Sequence, residues 1–283
     1  MRNIATLALA LAAAFAANSS AFADTTNAPV TPASLMQTAS IDTVLAGSWR
    51  SEANKARDRY RHPKQTLAFF GVKPNQTVIE IEPSGGWYAE ILAPWLKARG
   101  HYIAAVFQPK ADGTPDKYSK TFADRLAKDP AQLGAARTVE FDPKAPVLGQ
   151  PGSADVVLTF RNVHNWTDAG TAEGMFKAMY AVLKPGGTLG VVDHRAKAGT
   201  TLEQNENTGY LPVDAVVKLA TDAGFKLEAQ SEINANPKDD KDHPKGVWTL
   251  PPTFALKDVD RDKYAAIGES DRMTLKFVKP AGK

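Results

Sequence analysis

A short strand that runs into a glycine turn and out into a helix constrains this chain more than any other feature. Thr77 to Ile81 is apolar and strand-like, Glu80-Ile-Glu-Pro-Ser-Gly-Gly86 closes it, and a helical pattern starts at Trp87. Such a turn lets a ligand approach bare backbone with the N–H groups of the following helix facing it. A second diglycine turn, Leu183-Lys-Pro-Gly-Gly187, precedes another strand, Thr188 to Asp193. Both bends are expected at one rim of a sheet, around a hollow open to a ligand.

The remaining segments alternate in kind. Strands are predicted at Val78 to Ile81, His101 to Phe107, Thr138 to Phe141, Ala154 to Phe160, Leu189 to Val192, Phe225 to Ile233 and Met273 to Val278. Ala154 to Phe160 has the continuous apolar run of a central parallel strand. Between the strands, Trp87, Tyr88, Ile91, Leu92, Trp95 and Leu96 follow one helical face, with Pro94 set to kink or end it. Helices are also expected at Ile41 to Phe70, at Tyr118 to Leu126, and through Met175 to Leu183. A further helix around Val213 to Ala220 is closed by Gly224. The alternation predicts an α/β fold, a Rossmann-like doubly wound sheet of seven strands with helices on both faces. Asn234 to Ser270 interrupts it, and its run Lys238-Asp-Asp-Lys-Asp-His243 reads as solvated loop.

Residues 1–23 have a basic start at Arg2, an apolar stretch from Ile4 to Ala17, and Ala21-Phe-Ala23 before Asp24. This is the pattern of a cleaved secretory signal, too short to span a bilayer comfortably. Residues 24–65 follow as a partly helical extension, and 66–283 as the main domain. The 283-residue chain has no cysteine, which excludes a disulfide framework and thiolate metal clusters. No metal ligand set stands out. The net charge of +3, which loses Arg2 with the leader, argues against nucleic acid or an anionic membrane as the main partner. A periplasmic location and a small-molecule partner are expected, with no stable membrane insertion.

The two glycine turns in this setting resemble the class I S-adenosylmethionine-dependent methyltransferases over about Thr66 to Lys279. The pieces Arg57 to Pro63, Phe69-Phe-Gly71, Gly85-Gly-Trp-Tyr88 and Gly268-Glu-Ser-Asp-Arg272 are similar to a group of exported bacterial proteins described as predicted methyltransferases. The resemblance implies S-adenosylmethionine as cofactor and an antiparallel last strand. It also implies a seat made by Glu80, Pro83, Ser84, Gly85 and Gly86, with Gln108 toward the ribose and Asp142 toward the adenine. Gln108 stands where the family has an acid, and an amide bonds a hydroxyl without the added strength of charge.

Phe160-Arg-Asn-Val-His-Asn-Trp166 ends the fourth strand, at the edge where open α/β sheets bind ligands. Here Arg161 is counted with the cofactor seat, His164 is a candidate general base, and Asn162 a candidate for orienting substrate. After the fifth strand, Asp193-His-Arg195 offers His194 as a competing base and Arg195 as a holder of anions. Tyr60, in Arg57 to Pro63, is a further candidate on a segment that is either a lid or a solvated helix. Trp87, Tyr88 and Trp166 offer aromatic faces to a sulfonium. A nicotinamide oxidoreductase lacks its G-x-G-x-x-G turn at the first strand. An exported binding protein that keeps the fold and transfers nothing stays open beside the methyltransferase reading.

Overall fold

In the computed structural model, residues 39–282 are described, and the leader and residues 24–38 lie outside them. Seven strands are found among the described residues: β1 (Thr77–Ile81), β2 (His101–Phe107), β3 (Arg137–Phe141), β4 (Ala154–Phe160), β5 (Leu183–His194), β6 (Lys226–Ser231) and β7 (Arg272–Val278). They form one sheet in the order β3-β2-β1-β4-β5-β7-β6. β1 to β5 are parallel to one another, while β7 runs antiparallel between β5 and β6. The Rossmann-like architecture and the antiparallel last strand are as expected. The strand order reverses between β1 and β4, so their carboxyl ends form the switch point of the sheet.

Alternation along each strand divides it between two cores. Ile79, Ile81, Val157, Leu189 and Val191 join one cluster with Met175, Phe176 and Met179, on the side of α8 (Val163–Asp168), α9 (Ala172–Val182) and α10 (Val213–Asp222). Val78, Val156, Leu158 and Val192 join the other with Leu67, Phe70, Ile91 and Leu92. That side carries α4 (Pro63–Phe69), α5 (Ala89–Leu96), α6 (Lys117–Lys128) and α7 (Pro130–Leu133). A Cβ on Gly190 of β5 meets Phe70 at 2.7 Å, so this residue type sets how closely the end of α4 approaches the sheet. Pro94 does not break α5, which ends two residues later at Leu96.

Ile41 to Phe70 is not one helix but four short ones: α1 (Ile41–Leu45), α2 (Glu52–Lys55), α3 (Asp58–Arg61) and α4. Ser51 caps α2 through its hydroxyl. His62, the residue between α3 and Pro63, takes a left-handed backbone at φ 39° and ends α3. These helices pack on the main fold through Glu90 of α5, which bonds Asn54 (3.0 Å) and Arg125 (2.9 Å). The charge run at Lys238–His243 is a solvated loop only in part: Lys238, Asp240 and Asp242 are exposed, whereas Asp239 is buried. Asp239 is 1% exposed and accepts from the Tyr210 hydroxyl, His243 Nε2 and the Asp271 N–H, all within 2.9 Å. Tyr210 lies 29 residues away, so local charge gave no hint of this burial. A short helix, α11 (Arg261–Ile267), then leads into β7. No helix among the described residues is long and apolar enough to cross a membrane.

Candidate functional site

The turn after β1 sits at the carboxyl rim, as expected, with an unusual backbone. Glu82 and Ser84 take φ of 47° and 50°, a region that costs a residue with a Cβ about 1 kcal/mol or more, and Gly86 takes 76°. The second bend does not join it. Thr188, next to Gly187, is in register with Val156 near the start of β4 and with Val278 at the end of β7. Gly186 and Gly187 exchange backbone bonds with Lys279. That bend is therefore at the opposite, amino-terminal edge of the parallel strands, within the first residues of β5. The expectation of one shared rim is overturned, because a strand carries the two bends to opposite ends of the sheet.

The switch-point crevice itself is bridged. Asn162 donates through Nδ2 to the Ile81 carbonyl (2.8 Å), joining the end of β4 to β1, and to Thr159 Oγ1 (3.2 Å) within β4's own last turn of chain. Trp166 Nε1 donates to Glu82 Oε1 at 2.7 Å, one layer further out. Burial pushes the Glu82 carboxyl up to about 7 against the pull of that indole bond. Glu80 is likewise raised to about 7 by burial, partly offset by the Tyr102 hydroxyl donating to it at 2.6 Å. Between the turn and β2 only about 10 Å3 remains, walled by Pro83, Ser84, Phe107, Tyr118 and Phe122.

The other members of the expected seat lie along the same rim. Gln108 is exposed past the end of β2, and its backbone N–H bonds the Phe141 carbonyl. Asp142 is half-buried and uses its carboxylate to close its own turn, accepting from the Lys144 N–H at 2.9 Å. The aromatic faces are already covered. Tyr88 stacks on Phe160 at 3.6 Å between centroids, and Trp87 carries Arg61 at 4.7 Å and Arg50 at 5.4 Å. These residues lie along the carboxyl rim, and the Trp166–Glu82 bond spans the crevice beside them.

At the ends of β4 and β5 the geometry is that of an oriented base. Asp193, fully buried, receives His164 Nδ1 at 2.9 Å, the Val163 N–H at 2.8 Å and the His194 N–H at 2.8 Å. A carboxylate there places the imidazole proton on Nδ1 and leaves Nε2 as the acceptor. His164 lines a cavity of about 220 Å3 with Thr167, Asp168, Glu203, Tyr210 and Leu211. His194 is packed 5.2 Å from His164 between ring centroids and bonds Ser270 through Nδ1. Burial holds its pKa well below the ordinary value, helped by His164 and by Arg272, Arg161 and Arg61. Asp193 and the two histidines have a metal-like spacing. Three arginines in electrostatic reach oppose a cation there.

Arg57 to Pro63 is neither free lid nor solvated helix. Arg57 Nε and Arg61 Nε reach Glu269 at 2.5 and 3.4 Å, and Arg272 of β7 bonds the same carboxylate. Burial alone raises Glu269, but the charges of Arg272 and Arg61 outweigh it and hold the group well below the carboxylate range. Tyr60 offers this cluster its backbone carbonyl, to Arg272, while its ring covers Gly268. Arg195 is paired with Glu232 (2.7 Å) and Asp271 (2.9 and 3.0 Å), so its charge is already matched within the protein. Sequence reasoning missed the part played by Asp193. An acid directly before a histidine at a strand's carboxyl end was its only signal.

No family model and no curated protein matches this chain. Solved structures do. A S-adenosylmethionine-dependent methyltransferase from Aquifex aeolicus matches with a TM-score of 0.54 at 13% identity, covering 85% of this chain and 99% of its own. The [4+2]-cyclase SpnF matches with a TM-score of 0.58 at 15% identity, covering 83% and 86%. A putative sarcosine dimethylglycine methyltransferase from Galdieria sulphuraria matches with a TM-score of 0.53 at 13% identity, covering 79% and 85%. At such identities the likeness is one of fold: the seven-stranded Rossmann-like sheet with an antiparallel strand β7 is shared with these structures.

Proposed function

We propose that this chain is a S-adenosylmethionine-dependent methyltransferase for a small-molecule acceptor, exported to the periplasm by residues 1–23. The observation that carries the reading is the Asp193–His164 pair beside the 220 Å3 cavity. When bound, S-adenosylmethionine supplies an electrophilic methyl group. The residues that hold it are those of the β1 turn, Pro83 to Gly86, with Gln108 and Asp142 along the rim. His164 takes the acceptor's proton at Nε2, and Asp193 fixes the tautomer and stabilises the imidazolium that forms. The cavity is below the usual 300–1,000 Å3 range for ligand pockets, which favours an acceptor of few heavy atoms.

A specific observation favours the second reading, an exported binding protein that keeps the fold and transfers nothing. Glu82–Trp166 and Asn162–Ile81 seal the crevice where the cofactor belongs. Thermal unfolding of the mature protein and of Trp166→Phe, with S-adenosylmethionine, S-adenosylhomocysteine and NAD, separates the two. Stabilisation by the first two ligands only, and more strongly in Trp166→Phe, is expected from mass action. With no shift in either protein at millimolar ligand, the binding-protein reading stands. If binding is seen, His164→Ala should keep the shift and lose transfer; unchanged turnover removes His164 as the base.

A further inference from the structure

Where α3, the end of β4 and the start of β7 meet, four arginines share too few partners. Arg57, Arg61 and Arg272 all converge on Glu269, yet buried N–H groups are left over: Nη2 of Arg57, Nη2 of Arg61, Nε of Arg161 and Nε of Arg272. The side chain of Arg161 has no hydrogen bond or ion pair among the described residues. Its backbone is held left-handed at φ 64°, with its N–H on the Val192 carbonyl at 2.7 Å. A strained non-glycine residue that also carries a half-buried, unpartnered charge is an expensive combination, of the kind that persists at ligand sites.

Arg61, Arg161 and Arg272 line one small cavity with Tyr88, Phe160, Val192 and Asn234. The cavity measures about 10 Å3, room for one water-sized guest. Arg61 and Arg272 are 5% and 2% exposed, and apolar walls lower the local dielectric, which strengthens attraction for an opposite charge. The cations also repel one another. Burial, then the charges of Arg272 and Arg57, bring Arg161 down to about 10. Glu269 and Asp193 are carboxylates within electrostatic reach of Arg161, and Glu80 within reach of Arg61. A guanidinium presents planar N–H donors suited to oxyanions and halides.

We propose that Arg61, Arg161 and Arg272, with Arg57 behind them, form a binding site for a small anion. The guest is an ion of chloride size or one oxygen of a carboxylate or phosphate group. The site stands independently of any methyl transfer.

The test is thermal unfolding of the mature protein and of Arg161→Gln while chloride, acetate or phosphate is raised at matched ionic strength. The wild type should show a saturable rise of about 5 °C with at least one anion. Arg161→Gln should lose that rise and, in anion-poor buffer, melt above the wild type because a repelling charge is gone. Response to chloride alone assigns a halide seat; response to acetate or phosphate assigns an oxyanion-bearing ligand. An absent or non-saturable response in the wild type overturns the proposal, as does an equal response in the variant. Should Arg161→Gln not fold, crystals of the wild type grown in bromide decide. Anomalous density against the Arg161 guanidinium supports the site, and its absence there overturns it.

Discussion

The two halves of the carboxyl rim solve the same problem in opposite ways. On the β1–β2 side, buried polar groups meet partners: Glu80 with Tyr102, Glu82 with Trp166, Asn162 with Ile81. Side chains fill the space that remains. On the β4–β5–β7 side, a dyad faces a cavity and four arginines keep N–H groups without partners. Strained backbone occurs on both, at Glu82 and Ser84 on one and Arg161 on the other. Strain therefore does not tell the halves apart, whereas hydrogen-bond satisfaction does. A switch point marks where ligands bind in such folds, but here unsatisfied donors lie beside it rather than in it.

The largest expected effect breaks the charged half. Glu269→Gln leaves Arg57, Arg61 and Arg272 without their shared carboxylate, and removing one partner from a buried ionic cluster costs about 3–5 kcal/mol. Urea unfolding at pH 7 measures it. Combining it with Arg161→Gln should recover part of the loss, since a repelling cation goes as well. Strict additivity of the two would mean that Arg161 does not feel the cluster. In the wild type, Glu269 is depressed on folding, so its contribution is present above the ordinary carboxylate range and fades as pH falls below it.

The closed half should answer pH with the opposite sign. Glu80 and Glu82 are raised from about 4.5 to about 7, so the folded chain holds protons that the unfolded chain has released. Their effect is to lower stability as pH rises from 4.5 through 7, by up to about 3 kcal/mol each. Urea midpoints at pH 5.5, 6.5 and 7.5 should decline in the wild type and decline about half as steeply in Glu82→Gln, where Glu80 alone remains. The indole bond to an ionised Glu82 is the stronger one, so the latch tightens over the same interval. A slope unchanged by Glu82→Gln would place the titrating group elsewhere.

How much of this was legible in the sequence follows the range of the interactions. His101 to Phe107 and Ala154 to Phe160 were read to the residue, because continuous apolar runs flanked by polar or turn-forming residues announce central strands. The sheet's class followed from their alternation with helices. The candidate residues at the strand ends were found for the same reason, since a strand's last residue fixes which rim it serves. Bonds that decide the site span large separations: Glu82 to Trp166 over 84 residues, Arg57 to Glu269 over 212. No local pattern carries such pairings. The second glycine bend misled for a related reason: the motif shows a tight turn but not which end of the strand it serves.

The smallest expected effect concerns Tyr60, the one catalytic candidate outside the strand-end segments. Its hydroxyl has no hydrogen bond among the described residues, and its ring does the work, resting on Gly268 with Arg59 stacked at 4.6 Å. Gly268 has φ of 89°, and a Cβ there comes within 2.7 Å of the ring, so the aromatic body and the glycine fit each other. Tyr60→Phe keeps that surface and should change stability by less than about 0.5 kcal/mol, with turnover and anion response unaltered. Tyr60→Ala, by contrast, opens the space over Gly268 and should loosen α3, weakening the Arg57 and Arg61 bonds to Glu269. A loss of turnover in Tyr60→Phe at unchanged stability would bring the hydroxyl into the chemistry, and α3 would then belong to the reacting half of the rim rather than to its support.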